Sequence, residues 1–456
     1  MGKINENIKD ITEEIDEIIS IMDNAISFAK KSSADEIEIF YAKSISTSVS
    51  FRNDKIESAK ESVGSGFGIR AVVDGASGYS GTNISERLID SVKAAIKAAE
   101  SMDGDPMWKG LPEKSEYLEI PGLYDENVCN MKLEECVENT MNIIKGISSV
   151  DGVKPISGGF SRAVGINIIQ NTNGVSAQKK ATIVSASADA SAESASDTST
   201  AFDYGISRTF DISPLKIGEN AAEMAKKSLN GDRIDSGKMP VIFHPFAFSS
   251  LIENTFAEAI DADNVQKGRS PLIGKIGEQI ANPKLSLIDD ATIPGKTGSC
   301  SFDDEGTPSQ RTEILKDGIL KTYLYDSTTA ARGNTKSSGN GFKSSYGSVT
   351  SVDLSNLVII YPKSDIIRET KSGIYVNSLI GAHTANAITG DFSVEVRNAF
   401  KIQNGEITKP VKSAMISGNI FDLLKNISGA GYDVKDVGGI ITPSIKIEDI
   451  SVIGSE

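Results

Sequence analysis

Hydrophobic residues near the start of the chain recur every three or four positions, and further along they alternate with polar residues. Over residues 5–31 the spacing is helical, which predicts an amphipathic helix with one apolar face. The period changes to two at Ile37, Ile39 and Tyr41, and such alternation predicts a half-buried β-strand. Helical spacing returns over residues 85–101. This first region is therefore predicted to combine helices with a meander of strands.

A stretch rich in Gly, Pro and Asp, residues 103–126, separates the first region from a second one. In the second region, Asn173-Gly174 joins two strand-like runs, and this dipeptide is typical of a tight hairpin turn. Residues 185–200 are rich in Ser and Ala, so they fit either a flat strand of small side chains or a linker. Ser213-Pro214 predicts the first turn of a helix, because Ser caps helix N-termini and Pro suits the first helical position.

The last part of the chain has one helical stretch, at about 246–260, and then mainly short strand-like runs separated by turns. This order predicts the α+β class, with a mixed α/β N-terminal half followed by a β-rich C-terminal domain. A chain of 456 residues is expected to form two or three units. We expect an N-terminal α/β domain at 1–105, a central α/β segment at 118–232 and a C-terminal β-rich domain at 236–456.

The charge and the cysteine content narrow the classes of function. A net charge of −15 repels phosphate backbones, and the densest basic stretches, Lys179-Lys180 and Lys226-Lys227, are short, so no nucleic-acid partner is expected. Three cysteines, an odd number, fit a reducing cytoplasm better than a disulfide framework. The sequence has no apolar signal region and no apolar run of 18 residues. A cytoplasmic protein without a membrane span is therefore expected.

Two motifs suggest chemistry at first sight. The segment Gly64-Ser-Gly-Phe-Gly68 lacks the Gly-x-Gly-x-x-Gly spacing of a nucleotide loop and opens a strand, so a bend or a bulge is expected there. Asp303, Asp304 and Glu305 form a cluster of acids beside a glycine. The cluster fits turn chemistry, in which Asp bonds to the backbone, and it also fits a cation site or a general acid–base pair.

Several segments, spread over nearly the whole chain, resemble one family in the expected order. The segments that carry the likeness best are Gly66–Gly75, Asn171–Val175, Phe302–Gln310, Thr389–Phe392 and Asn426–Gly429. On these motifs the chain resembles the TldD/PmbA family, also written TldD/TldE and known by the older name modulator of DNA gyrase. The resemblance implies a role in peptidase action on unfolded peptides, performed by two related subunits. It further implies that the TldD-type subunit carries a zinc helix, His-Glu-x-x-x-His, and a cysteine ligand near its C-terminus.

This chain departs from the zinc motif at the positions that the resemblance assigns to it. Counting back from the acidic segment that begins at Asp261 places Glu253 and Glu258 on the two histidines and Asn254 on the general base. Asparagine cannot take a proton from water. The stretch 431–439, where the family's cysteine is expected, contains none. The resemblance therefore implies a TldE/PmbA-type chain without catalytic or metal residues, and it places zinc in a TldD-type partner.

Other residues keep alternatives open. The sequence contains two histidines, His244 at a predicted helix start and His383 before the Thr389–Phe392 motif. We expect a structural role for His244, whereas His383 fits either loop structure or contact with a peptide. The chain could also act alone as a homodimeric hydrolase, or it could be a peptide-binding scaffold. The hydrolase would use an unrecognised metal or carboxylate site, whose candidates are Glu253, Glu258, Asp303, Asp304, Glu305 and His383. The expected partners are thus a TldD-type zinc subunit or a second copy, and an unfolded peptide bound by strand addition.

Overall fold

The computed structural model describes residues 11–454 of the chain. The predicted helix at 5–31 is confirmed over the part that is described, and its residues 5–10 lie outside the described range. Residues 185–200, which fit either a strand or a linker, form strands over most of their length. The elements of the first two segments are α1 (Ile11–Ala29), β1 (Glu36–Arg52), β2 (Lys55–Val73), β3 (Ala76–Thr82), a 3₁₀ turn (Ser85–Arg87), α2 (Leu88–Glu100), α3 (Glu126–Asn130), α4 (Leu133–Ser148), β4 (Val153–Asn171), β5 (Ser176–Glu193), β6 (Thr198–Ser207) and α5 (Pro214–Lys227).

One antiparallel sheet, in the order β3-β2-β1-β4-β5-β6, runs through both segments. The strand β1 pairs with β2 on one side and with β4 on the other, so the sheet joins the units that the sequence analysis separates at 105 and 118. Gly174, with φ of 95°, completes the predicted hairpin turn between β4 and β5. The strand β3 covers β2 only from Phe67 onwards. Residues 55–65 of β2 therefore pair with β1 on one side, and their other edge is unpaired among the described residues.

The small side chains of β5 allow two helices to pack closely on the sheet. Alternate alanines of β5 are buried beneath α4 and α5, and the helices approach each other at two glycines. A Cβ added to Gly146 would lie 2.1 Å from the carbonyl oxygen of Leu215, and one added to Gly218 would lie 2.2 Å from that of Ile143. The Ser- and Ala-rich composition therefore serves close helix–sheet packing.

The expected bulge at Gly64–Gly68 is absent. The pairing of β2 with β1 stays in regular register from Gly64 opposite Ser44 to Gly68 opposite Phe40. The glycines instead make room for a segment of the C-terminal part, because a Cβ at Gly68 would lie 1.7 Å from the carbonyl oxygen of Tyr346. The motif thus marks a close approach between two parts of the chain.

The C-terminal segment contains two large sheets, which surround the largest apolar core, and a third sheet of only two strands. Its helices are short, and none of the described helices is long and apolar enough to cross a membrane. The elements are β7 (Gly237–Phe243), α6 (Pro245–Asn254), α7 (Phe256–Ile260), α8 (Ala262–Gln266), β8 (Ser286–Asp290), β9 (Arg311–Lys316), β10 (Ile319–Leu320), α9 (Ser327–Arg332), β11 (Gly341–Phe342), β12 (Ser351–Val352), β13 (Leu357–Ile360), β14 (Ser372–Ile380), a 3₁₀ turn (Ala382–Thr384), β15 (Asp391–Gln403), β16 (Glu406–Val411), β17 (Ala414–Asn419), α10 (Ile420–Lys425), β18 (Ile427–Ala430), β19 (Lys435–Val437), β20 (Ile440–Thr442) and β21 (Ile445–Gly454).

One of the two large sheets closes on itself. Its strands follow the order β14-β7-β21-β17-β15, and β15 returns to pair with β14, so the ring has no free edge at that seam. The other sheet runs in the order β10-β9-β8-β13-β20-β19. Helices, a mixed first half and a strand-rich second half confirm the predicted α+β class. The single helix expected at 246–260 is divided into α6 and α7 by Thr255, whose φ of −136° and ψ of −70° are not helical.

Candidate functional site

The three positions that correspond to the zinc motif lie on both sides of the break between α6 and α7. Glu253 and Asn254 end α6, and Glu258 lies in α7. Both glutamates are exposed to solvent, while the Asn254 side chain donates to the Ser250 carbonyl oxygen at 2.8 Å. Glu258 accepts a hydrogen bond of 3.1 Å from Asn264. The side chains therefore make local helix-end contacts.

The chemistry of these side chains does not fit a zinc centre. Zinc requires about three nitrogen, sulfur or carboxylate ligands that converge on one point. Here a helix break separates the two glutamates, and the residue between them in the motif is an amide. Over residues 11–454, no group of three or more His, Cys, Asp or Glu side chains is arranged to hold a metal ion. The side chains at these three positions therefore do not fit a catalytic zinc ion.

The two histidines occupy different environments. His244 caps α6, where its Nδ1 accepts the Phe246 N–H at 3.2 Å, and burial together with the nearby Lys435 lowers its pKa to about 4. It is therefore neutral at pH 7, and its accepting nitrogen is used by the helix. His383 lies in the 3₁₀ turn at 382–384 with its side chain exposed.

The acids at 303–305 are buried, and Glu305 joins the C-terminal segment to the first sheet. Its Oε1 pairs with Nη1 of Arg70 in β2 at 3.0 Å, and both side chains are at most 2% exposed. Ser327 also donates to Glu305, from its backbone N–H at 2.7 Å and from its hydroxyl at 2.6 Å. The carboxylate thus accepts three donors, and Arg70 further donates to the Thr328 hydroxyl at 2.9 Å. Glu305 therefore stabilises the contact between the C-terminal segment and the first sheet.

Asp304 makes a second contact of the same kind. Its carboxylate pairs with Lys179 of β5 at 2.8 Å and accepts the backbone N–H of Lys343 at 3.0 Å. Burial disfavours the charge of Asp304, but the Lys179 ammonium, the Lys343 backbone N–H and the Lys343 ammonium together outweigh burial and hold the pKa of Asp304 below its usual value. The Lys343 ammonium in turn pairs with the buried Glu38 of β1 at 2.7 Å. Three buried ion pairs therefore connect the first sheet to the C-terminal segment.

Asp303 organises the loop that presents its two neighbours. Its carboxylate accepts backbone N–H groups from Glu305 at 3.0 Å, Thr307 at 2.9 Å and Gly341 at 3.0 Å. Burial, with the nearby Glu305 carboxylate, raises the pKa of Asp303 well above its usual value. This is the turn chemistry that the sequence motif suggested, and Gly306 supplies the positive φ of 85° that the turn needs. The fold brings the three consecutive acids close to Arg70, Lys179 and Glu38, although these residues lie far from them in sequence.

A cleft of about 360 Å³ lies between the first sheet and the C-terminal segment. From the N-terminal side, Arg70 and Trp108 line it, with the guanidinium 4.5 Å from the indole ring. From the C-terminal side, Asp261 and Asp326 line it, and burial raises the pKa of Asp261 to about 7. A small recess lined by Glu258 and Asp261 adjoins this cleft. Arg70 and Trp108 were not predicted to line a cleft. Two signals in the sequence point to them, because Arg70 lies in a family motif and Trp108 is the only tryptophan.

Models of known protein families match most of the chain. Models described as PmbA/TldA metallopeptidase domain 1, central domain and C-terminal domain match residues 37–102, 126–229 and 236–454. An uncharacterised protein of Methanocaldococcus jannaschii is 32% identical over 420 residues, which are 90% of this chain and 94% of that protein.

Two solved structures share the fold. TldE from Thermococcus kodakarensis superimposes with a TM-score of 0.88 at 26% identity, covering 95% of this chain and all of that one. A Thermotoga maritima protein, described as a candidate modulator of a DNA gyrase, has a TM-score of 0.89 at 28% identity, covering 95% of this chain and 99% of that one. The family models, the relative and the two structures agree in extent and in order. The chain belongs to the TldD/PmbA family of metallopeptidase-type proteins.

Proposed function

We propose that this chain is the non-catalytic subunit of a TldD/TldE-type zinc peptidase complex that acts on unfolded peptides in the cytoplasm. The zinc and the general base would reside in a TldD-type partner subunit. This chain would complete the enclosure and hold the peptide. The observation that carries the proposal is the chemistry of the positions that the resemblance assigns to the zinc motif, since Glu253, Asn254 and Glu258 include no histidine and are divided by the helix break at Thr255.

The acidic cluster supports an accessory role. A general base needs a carboxylate lone pair that is free to accept a proton from water. Asp303 and Glu305 each accept three hydrogen bonds from the protein, and Asp304 is held by Lys179 and Lys343. These contacts stabilise the union of the segments and leave little capacity for catalysis.

The cleft and the open strand edge support peptide binding. An extended peptide can add to an exposed edge through main-chain hydrogen bonds, which tolerate many sequences. The closed ring at β14 and β15 offers no edge at its seam, whereas β2 residues 55–65 do. The cleft is lined by polar side chains and by Trp108, so it offers both hydrogen bonds and an aromatic surface. Both features suit an unfolded chain better than a folded one.

The decisive experiment measures cleavage of an unfolded protein by the purified chain, with and without a TldD-type subunit from the same organism. Each reaction is run with and without a metal chelator. We expect no cleavage by the chain alone, and cleavage by the mixture that the chelator abolishes. A TldD-type subunit that is fully active without this chain would contradict the proposal.

Variants separate the remaining outcomes. Glu253→Gln and Glu258→Gln should leave the activity of the mixture unchanged, because neither side chain is expected to hold zinc. Chelator-sensitive cleavage by the chain alone, lost in these variants, would instead establish a stand-alone metal hydrolase. Peptide binding without cleavage under any condition would favour a scaffold protein.

A further inference from the structure

Three neighbouring cavities between the segments lie in a row, since each shares lining residues with the next. The cleft that holds Arg70 and Trp108 shares Asp261 and Val352 with the small recess beside Glu258. That recess in turn shares Asp353 and Leu354 with a third cavity of about 430 Å³. We call this row of three cavities the interdomain groove. The recess in its middle is lined by Glu258 of α7, one of the positions that the resemblance assigns to the zinc motif.

The two ends of the interdomain groove carry opposite charge. At the first end, aspartates outnumber the cations, since Asp103, Asp261 and Asp326 have no cationic partner among the described residues. At the other end, four cations face two carboxylates; the cations are Lys179, Lys180, Arg208 and Lys343, and the carboxylates are Asp304 and Asp353. A cationic end is unusual in a chain whose net charge is −15. The groove therefore has an electrostatic polarity.

Two of the cations at this end form no ion pair with a carboxylate in the described part of the chain, although the charge of Asp436 acts on one of them, Arg208. Arg208 donates its Nε to the carbonyl oxygen of Lys296 at 3.3 Å, and its Nη2 donates to the carbonyl oxygens of Thr297 and Ser299. Lys180 lies over the ring of Tyr124, with its Nζ 4.5 Å from the centroid. Neither has a carboxylate counter-ion within the described part of the chain, and Nη1 of Arg208 makes no hydrogen bond there. These two side chains are therefore available to an anionic ligand.

We propose that the cationic end of the interdomain groove, through Arg208 and Lys180, binds the C-terminal carboxylate of an extended peptide. The proposal rests on the proposed function in one respect, that the groove holds peptide. A carboxylate would receive charge-assisted hydrogen bonds from the guanidinium and the ammonium. The acidic end would receive the amino-terminal side of the peptide. The polarity would therefore fix the direction of the chain as it passes Glu258.

The test compares two forms of one unfolded peptide, with a free C-terminal carboxylate and with a C-terminal amide. A dye on a central side chain reports binding by fluorescence anisotropy at constant ionic strength. We expect the free acid to bind about tenfold more tightly than the amide, because only the carboxylate can accept charge-assisted hydrogen bonds from both cations. Inorganic phosphate, used as a competitor, shows whether the site accepts any anion or requires the peptide.

Matched variants locate the effect. Lys180→Gln should weaken binding of the free acid several-fold and leave binding of the amide unchanged. Lys93→Gln, an exposed lysine on α2 outside the groove, serves as the control and should change neither. Because Lys180 is exposed, its replacement is not expected to disturb the fold. Arg208→Gln should act in the same direction as Lys180→Gln.

The outcomes separate the two proposals. Equal affinities of the wild-type chain for the acid and the amide would overturn carboxylate recognition and leave the accessory-subunit function intact. A preference for the acid that Lys180→Gln and Arg208→Gln do not change would also overturn it, by placing the carboxylate elsewhere. Failure of both peptides to bind would overturn peptide binding itself. A TldD-type subunit that needs no partner would overturn the proposed function even where the acid is preferred.

Discussion

The buried pair between Arg70 and Glu305 gives the sharpest prediction about stability. Replacing Glu305 by Gln removes the only carboxylate that pairs with the Arg70 guanidinium among the described residues. The new amide cannot satisfy all donors, because the glutamate accepts from Arg70 and from both groups of Ser327. A buried charge would remain without its counter-charge, which typically costs about 3–5 kcal/mol. We expect Glu305→Gln to lower the free energy of unfolding of the contact between the first sheet and the C-terminal segment by about 3–5 kcal/mol.

The only tryptophan provides the assay. Trp108 lies in contact with Arg70, and its indole N–H donates to Glu36 at 2.9 Å, so its fluorescence reports this part of the fold. Urea unfolding followed at Trp108 measures the transition in which the contact is lost. With a slope of about 3 kcal/mol per molar urea, the expected loss lowers the midpoint by roughly 1–2 M. The comparison applies to this transition only, since a chain of several segments need not unfold in one step.

Two further variants decide whether the pair itself is responsible. Arg70→Met combined with Glu305→Leu removes both charges and should recover most of the lost stability, because apolar residues often replace a buried ion pair at little cost. Glu278→Gln, on an exposed ion pair with Lys275, is the control and should leave the midpoint unchanged. A midpoint of Glu305→Gln equal to that of the control would refute the reasoning. So would a double variant no more stable than Glu305→Gln.

Three further predictions concern pH and packing. Since burial holds the pKa of His244 near 4 in the fold against about 6.5 when unfolded, the wild type should lose about 3 kcal/mol of stability as pH falls from 6.5 to 4. His244→Asn, which keeps the cap, should not show this loss in urea midpoints. The pKa of Asp261, raised to about 7, means that its ionisation opposes folding as pH rises, so Asp261→Asn should gain more over the wild type at pH 8 than at pH 5. Gly68→Ala should lower the melting temperature by forcing a shift of Tyr346, at a cost of about 1–3 kcal/mol, whereas Gly64→Ala, which meets nothing within 4 Å, should not.

Local patterns were sufficient for much of this protein. Helical spacing located α1 and α2, Ser213-Pro214 located the start of α5, Asn173-Gly174 located the β4–β5 turn, and the order of elements predicted the α+β class. Motifs along the chain also identified the family before any contact was known. These features depend on residues close in sequence, whose propensities and periods act within one helix, one strand or one turn. The sequence also shows glutamates at 253 and 258, the positions that the resemblance assigns to the histidines of the zinc motif.

Only the tertiary structure revealed what the acids and the basic dipeptide contact. Arg70 and Glu305 are 235 positions apart, and Lys179 meets Asp304 across 125, so no local pattern links them. The break at Thr255, the closed ring at β14 and β15, and the interdomain groove likewise depend on packing between distant segments. Burial then sets the chemistry, because a carboxylate that is solvated in isolation becomes a paired structural charge between two sheets. The sequence by itself therefore determined the elements and the family, and long-range packing decided which side chains form a site.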